Sequence, residues 1–174
     1  MSIRRSGQDR ADLLMVGLVP PPLHGQSLMT KALFESDLSP FSIRTIGISF
    51  NDHIHTTGAF GFIKVLRLIR VVFECIYQRF RYGIKALYYT PGSPNAIPFL
   101  KDILFLATVR PFFATTVLHY HSGGLPEYLN ARAWRRWLAR AAYGRNAVPI
   151  SLSPLVPVPA IEFGATTSKS LPNG

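Results

Sequence analysis

An α/β fold with a doubly wound parallel sheet is predicted by three features of this 174-residue sequence. Apolar runs without polar alternation recur along it, as strands buried on both faces require. Segments with helical spacing lie between those runs. The connections are short and rich in glycine and proline, which suits successive right-handed βαβ units.

Each element can be justified in turn. Leu13-Leu-Met-Val-Gly-Leu-Val19, closed by Pro20-Pro-Pro22, is a buried strand, and Leu28, Met29, Ala32 and Leu33 keep helical spacing from Gln26 to Leu38. Ser42 to Phe50 is β-branched and apolar and predicts a second strand. Asn51 to Gly61 has no periodicity and reads as a loop. From Ile63 to Tyr82 the polar residues Lys64, Arg67, Arg70, Glu74, Gln78 and Arg81 recur every three or four positions. That spacing predicts a helix with a narrow polar stripe and a wide apolar face. Ala86 to Thr90 is a third strand, Ala96 to Thr108 a helix, Ala114 to Tyr120 a fourth strand and Ala147 to Leu152 a fifth. Between the last two, Ala131 to Tyr143 predicts an arginine-rich helix with Trp134, Trp137, Leu138 and Ala141 at core spacing. The chain thus divides into a frayed start (1–10), one folded unit (11–152) and an irregular proline-rich tail (153–174), where Pro154, Pro157 and Pro159 oppose a regular helix.

Composition narrows the class. With 48% hydrophobic and 16% charged residues the chain is globular rather than disordered. Asp12 interrupts the start where a signal peptide would need its apolar run, and no stretch has the length of a spanning helix. The lone Cys75 excludes an internal disulfide and fits a reducing cytosol. A formal charge of +10 points to an anionic partner, whether nucleic acid, lipid headgroup or phosphorylated substrate. The cations cluster at Lys64, Arg67, Arg70, Arg79, Arg81 and Lys85, and again at Arg132, Arg135, Arg136, Arg140 and Arg145.

Ligands of open α/β sheets bind at the carboxyl ends of the strands, and two loops there carry chemistry. In Pro20-Pro-Pro-Leu-His-Gly-Gln26, Gly25 at the start of a helix would let a phosphate approach backbone N–H groups; an ordinary βα turn uses the same residues. In Leu118-His-Tyr-His-Ser-Gly-Gly124, His119 and His121 point to one face, where they could donate to a sugar hydroxyl or phosphate, bind metal or serve the structure alone. His53 and His55 repeat the spacing, but a four-histidine metal site would require the two loops to meet. Ser122 lacks the Gly-x-Ser-x-Gly elbow of a hydrolase nucleophile, and the first loop has neither dinucleotide nor P-loop glycine spacing.

Three landmarks, in order, resemble glycosyltransferase family 4, the retaining GT-B family. Pro20-Pro-Pro-Leu-His-Gly-Gln-Ser27 looks like its proline-rich first loop, and His119-Tyr-His-Ser-Gly-Gly124 like its His-x-His loop. Phe163-Gly-Ala165 with Leu171-Pro-Asn-Gly174 looks like the crossing into its second domain. The resemblance implies a Rossmann-like N-terminal, acceptor-side domain, one half of a GT-B architecture. It implies a nucleotide-sugar donor, a polysaccharide or lipid-linked glycan acceptor, and no cofactor or metal. His24, Gly25 and Gln26 would lie by the donor phosphates, His119 and His121 would act at the donor sugar, and Ser122, Gly123 and Gly124 would line the cleft. The family's second domain, with its paired glutamates, is not found in these residues, so transfer by this chain alone is not expected and a separate donor-domain chain could complete it.

The resemblance also implies acceptors at the cytoplasmic membrane face. The two basic helices, with Lys64, Arg67, Arg70, Arg132, Arg135 and Arg136, would meet an anionic bilayer or the acceptor there; a solvated stripe on a core helix accounts for them equally. Nucleic acid is not the expected partner, because no nucleic-acid-binding motif accompanies the basic residues. The alternative to a transferase is a non-catalytic basic α/β module that binds lipid phosphates or a partner protein.

Overall fold

The computed structural model describes residues 10–21, 23, 25–49, 59–121, 123–144, 146–153, 159–165 and 168–171. Six strands form one sheet: β1 (Leu13–Leu18), β2 (Ile43–Ile48), β3 (Ala86–Tyr89), β4 (Thr115–Tyr120), β5 (Ala147–Ser151) and β6 (Lys169–Ser170). All neighbours are parallel, in the order β2-β1-β3-β4-β5-β6. The helices are α1 (Gly25–Glu35), α2 (Ala59–Arg81), α3 (Ala96–Val109), α4 (Leu125–Asn130), α5 (Ala133–Tyr143) and α6 (Pro159–Glu162). This is the Rossmann-like doubly wound arrangement that the sequence predicts.

The two faces of the sheet are built differently. Leu14, Val16, Ile46, Ile48, Leu87, Tyr89, Leu118 and Tyr120 point to one face. There they form a continuous core with Leu68, Val71 and Cys75 of α2, Phe99, Phe105 and Leu106 of α3, and Ala139, Ala142 and Tyr143 of α5. Met15, Gly17, Tyr88 and His119 point to the other face, which carries α1. A Cβ at Gly17 would lie 2.7 Å from Thr30 Cγ2 and 2.9 Å from Thr90 Oγ1, so only glycine lets α1 pack this closely. The approach also explains why α1 buries Ser27 and Thr30, while Leu28, expected on its apolar face, is exposed.

Other departures have physical causes. Residues 125–130, for which the sequence predicts no element, form α4, with Gly124 at φ 80° before it and Pro126 in its first turn. Pro159 opens the short helix α6, in the first turn where proline loses no helical hydrogen bond, and β6 extends the sheet beyond β5. Helix α5 is turned away from its expected face. The small Ala139 and Ala142, with Tyr143, face inward against α3, whereas Trp137 is 70% exposed and Trp134 about half-exposed. Two alanines on the buried side allow closer helix packing than two indoles would. Helix α2 likewise buries a narrow strip, and much of its wide apolar face is open.

One polar group is buried at the centre of α3. Asp102, 1% exposed, accepts hydrogen bonds from the Tyr89 hydroxyl (2.6 Å) and the Gly92 N–H (2.7 Å), and Lys101 Nζ lies 3.2 Å from its Oδ1. Asp102→Ala strands a buried hydroxyl and a backbone donor, and we expect it to cost about 3 kcal/mol of stability. Urea unfolding checks this; a loss below about 1 kcal/mol would mean that the carboxylate is not needed to hold β3 to α3.

Candidate functional site

The strand order reverses between β1 and β3, because α1 leads to one side of β1 and α2 to the other. A crevice at the carboxyl ends of the strands is the expected ligand position in such sheets. Around it the structure places the start of α1 after β1 and the Pro91-Gly92 turn after β3. Gln26 Nε2 donates to Pro91 O across the switch point (3.0 Å), and Thr30 Oγ1 donates to Gln26 O (2.9 Å). Thr90, 3% exposed, has a buried Oγ1 with no hydrogen-bond partner among the described residues.

Beside the crevice, on the α1 side of the sheet, Tyr88, His119 and His121 form a cluster. The expected shared direction of the two histidines is observed: their ring centroids are 4.2 Å apart. Tyr88 Oη lies 2.5 Å from His119 Nδ1. Burial pushes the Tyr88 hydroxyl up, and burial first, then the neighbouring His121, lowers His119 to about 4. Burial also lowers His121. At neutral pH the phenol is therefore protonated and the imidazole uncharged. A phenol is the better donor of the pair and an imidazole nitrogen the better acceptor, so the Tyr88 O–H donates to Nδ1 and the ring proton resides on Nε2. His119 is 4% exposed, and its Nε2 has no hydrogen-bond partner among the described residues. The result is an oriented, uncharged N–H donor at the carboxyl end of β4.

The other sequence candidates differ in their placement. Gly25 opens α1, and a Cβ added there would meet nothing within 4 Å, so its role would rest on its backbone N–H. Gln26 is engaged by Pro91 O. Gly123 and Gly124 are exposed and lead into α4, and the Gly124 carbonyl accepts from Tyr128 N–H (3.0 Å). His24, Ser122, His53, His55, Asn173 and Gly174 lie outside the described residues. Among the basic candidates, Arg70, Arg132 and Arg136 are exposed and Lys64 is half-buried. Arg67 Nη1 lies 3.4 Å from Ser49 O. Arg135 is engaged internally: its guanidinium lies 3.9 Å from the Tyr128 ring centroid and donates to Tyr128 O (3.0 Å).

Three residues of this region, Tyr88, Thr90 and Asp102, are not singled out by the sequence patterns. Only the last carried a signal, being the one acidic residue in the mostly apolar α3. Among the described residues, no three metal-ligating side chains come together. A concavity of about 570 Å³, lined in part by Arg110, Phe113, Arg140 and Phe163, lies at the amino ends of β4 and β5. Its Arg110 donates to the Ala142 and Gly144 carbonyls, which closes the end of α5. The candidate site lies at the opposite edge of the sheet, where strand ends, a helix start and a histidine Nε2 with no partner among the described residues converge.

The buried histidine makes stability depend on pH. His119 is held at about 4 in the fold against 6.5 when unfolded, so between those values the unfolded chain binds the extra proton. The stability this shift contributes is complete above pH 6.5 and is lost as the pH falls toward 4, by about 2 kcal/mol between pH 7.5 and pH 5, and His121, also lowered by burial, adds a loss of the same sign. In urea unfolding at both pH values, His119→Gln should remove most of this difference; an unchanged difference would show that His119 is not held neutral. No family model matches the sequence and no curated protein matches it.

Proposed function

We propose that this chain is the acceptor-side Rossmann-like half of a retaining GT-B glycosyltransferase, which moves a sugar from a nucleotide-sugar to a polysaccharide or lipid-linked glycan. The observation that carries the reading is His119: buried, uncharged, fixed by Tyr88 and left with an Nε2 that has no partner among the described residues, at the carboxyl end of the sheet. Such a donor suits a sugar hydroxyl or a diphosphate oxygen, because it offers a directed hydrogen bond without titrating near neutral pH. Negative charge grows on the leaving nucleotide as the glycosidic bond breaks, and a preorganised donor stabilises that change more than it stabilises the bound donor. The N-terminus of α1, on the other side of the crevice, favours the same phosphate charge through its backbone dipoles.

The chemistry needs no nucleophilic side chain from this half. His119 and His121 would orient the sugar, and Gly25 would lend its backbone N–H to phosphate. The alternative, a non-catalytic basic module for lipid phosphates or a partner protein, shares the fold but gives no task to the His119 Nε2, which has no partner among the described residues.

The chain, expressed together with a donor-domain chain, should transfer label from a radiolabelled nucleotide-sugar to a membrane glycan extract. His119→Ala should lower kcat about 100-fold, the usual effect of losing one preorganised donor. Transfer at the wild-type rate by that variant, or no transfer from any nucleotide-sugar, would sink the reading.

A further inference from the structure

Helix α2 leaves a continuous apolar stripe uncovered. Phe62, Leu66, Ile69, Phe73, Tyr77 and Phe80 are all exposed, and the three phenylalanines each have about two-thirds of their surface open (67%, 69% and 65%). At 100° per residue these six and Val65 fall within an arc of roughly 120°, opposite the strip that Leu68, Val71 and Cys75 bury. The stripe runs the length of the helix, about 30 Å. It continues onto its neighbours. Phe80 meets Phe112 edge-to-face (5.9 Å between centroids), α3 exposes Ile97, Leu100 and Leu104 in register, and α5 exposes Trp137. All three helices lie in the same layer, so these side chains share one outward face. A contiguous exposed apolar area of this extent marks an interaction surface.

Charge selects the occupant. Arg67, Arg70 and Arg81 flank one side of the stripe and Arg79 the other, with Arg136 and Arg140 beside Trp137. Glu74 is the only acidic residue of α2. A second copy of this face would bring these cations against their own kind. A membrane surface rich in anionic headgroups complements them, and aromatic side chains bordered by arginine are suited to the boundary between headgroups and acyl chains. Among the described residues no helix is long and apolar enough to cross a membrane, so the contact is one of lying on the bilayer.

We infer that the outer face of α2, α3 and α5 docks on an anionic lipid bilayer, with Phe62, Phe73, Phe80 and Trp137 entering the interface. Docked in this way, the helical layer lies flat. The sheet stands about one helix diameter, ~10 Å, above the surface, and its carboxyl edge with His119 opens sideways along the bilayer. The docking is independent of the reaction assigned to that edge.

Flotation of the full chain with vesicles tests it. The chain should float with phosphatidylglycerol–phosphatidylcholine vesicles and stay behind with phosphatidylcholine alone. On a Trp134→Phe background, Trp137 emission should shift to the blue on binding and be quenched by brominated lipid. The combined Phe62→Ser, Phe73→Ser and Phe80→Ser variant, with its circular dichroism unchanged, should partition at least roughly tenfold more weakly. Failure to float with anionic vesicles, equal flotation of the variant, or an unquenched Trp137 would overturn the inference. A concentration-dependent dimer without vesicle binding, lost in the variant, would assign the face to a second copy instead. Should the triple variant not fold, Trp137 quenching in the otherwise native chain still decides.

Discussion

Asp102 sits under the end of β3 and holds two groups that water would otherwise have to solvate, the Tyr89 hydroxyl and the Gly92 N–H. Through them it fixes the turn after β3. The carbonyl of Pro91 in that turn then receives Gln26 of α1, so the start of α1 is positioned against β3 across the point where the strand order reverses. The same strand carries Tyr88, which sets the tautomer of His119 on the neighbouring strand. A burial cost at one carboxylate is thus offset by hydrogen bonds that define the geometry of the whole carboxyl edge.

The sheet separates two tasks. On the α2–α3–α5 side it builds the core, and large apolar side chains fill the space between strands and helices. On the α1 side the packing is closer and more polar: Gly17, Thr30 and Thr90 meet without a large side chain between them. His119 on this second side remains uncharged because it is buried, yet its Nε2 has no partner among the described residues. Placing the polar cluster across the sheet from the main core leaves the core mostly apolar, with Asp102 as a buried exception, while the edge keeps oriented donors.

Much of the fold is legible in the sequence because continuous apolar runs and helical spacing are local signals. β1, β3 and β4 follow directly from such runs, and the His-x-His alternation correctly puts two rings on one face. What local patterns do not show is which face of a helix turns inward. Leu28 on α1, and Trp134 and Trp137 on α5, lie at core spacing, yet close approach at Gly17 and at Ala139 and Ala142 turns smaller residues to the interior. Tyr88 and Asp102 are hidden for a related reason. Their partners are 31 and 13 residues away, and only the tertiary fold brings them together.

The function proposed for the carboxyl edge depends on whether a nucleotide-sugar reaches it. We would titrate the isotopically labelled chain, together with a donor-domain chain, with a panel of nucleotide-sugars and follow the histidine ring and backbone amide signals by NMR. Shifts should be confined to His119, His121, Gly25 and the turns after β1, β3 and β4, with the Nε2–H of His119 moving downfield as it gains an acceptor. Shifts restricted to the outer face of α2 and α5, or none with any nucleotide-sugar, would contradict that function.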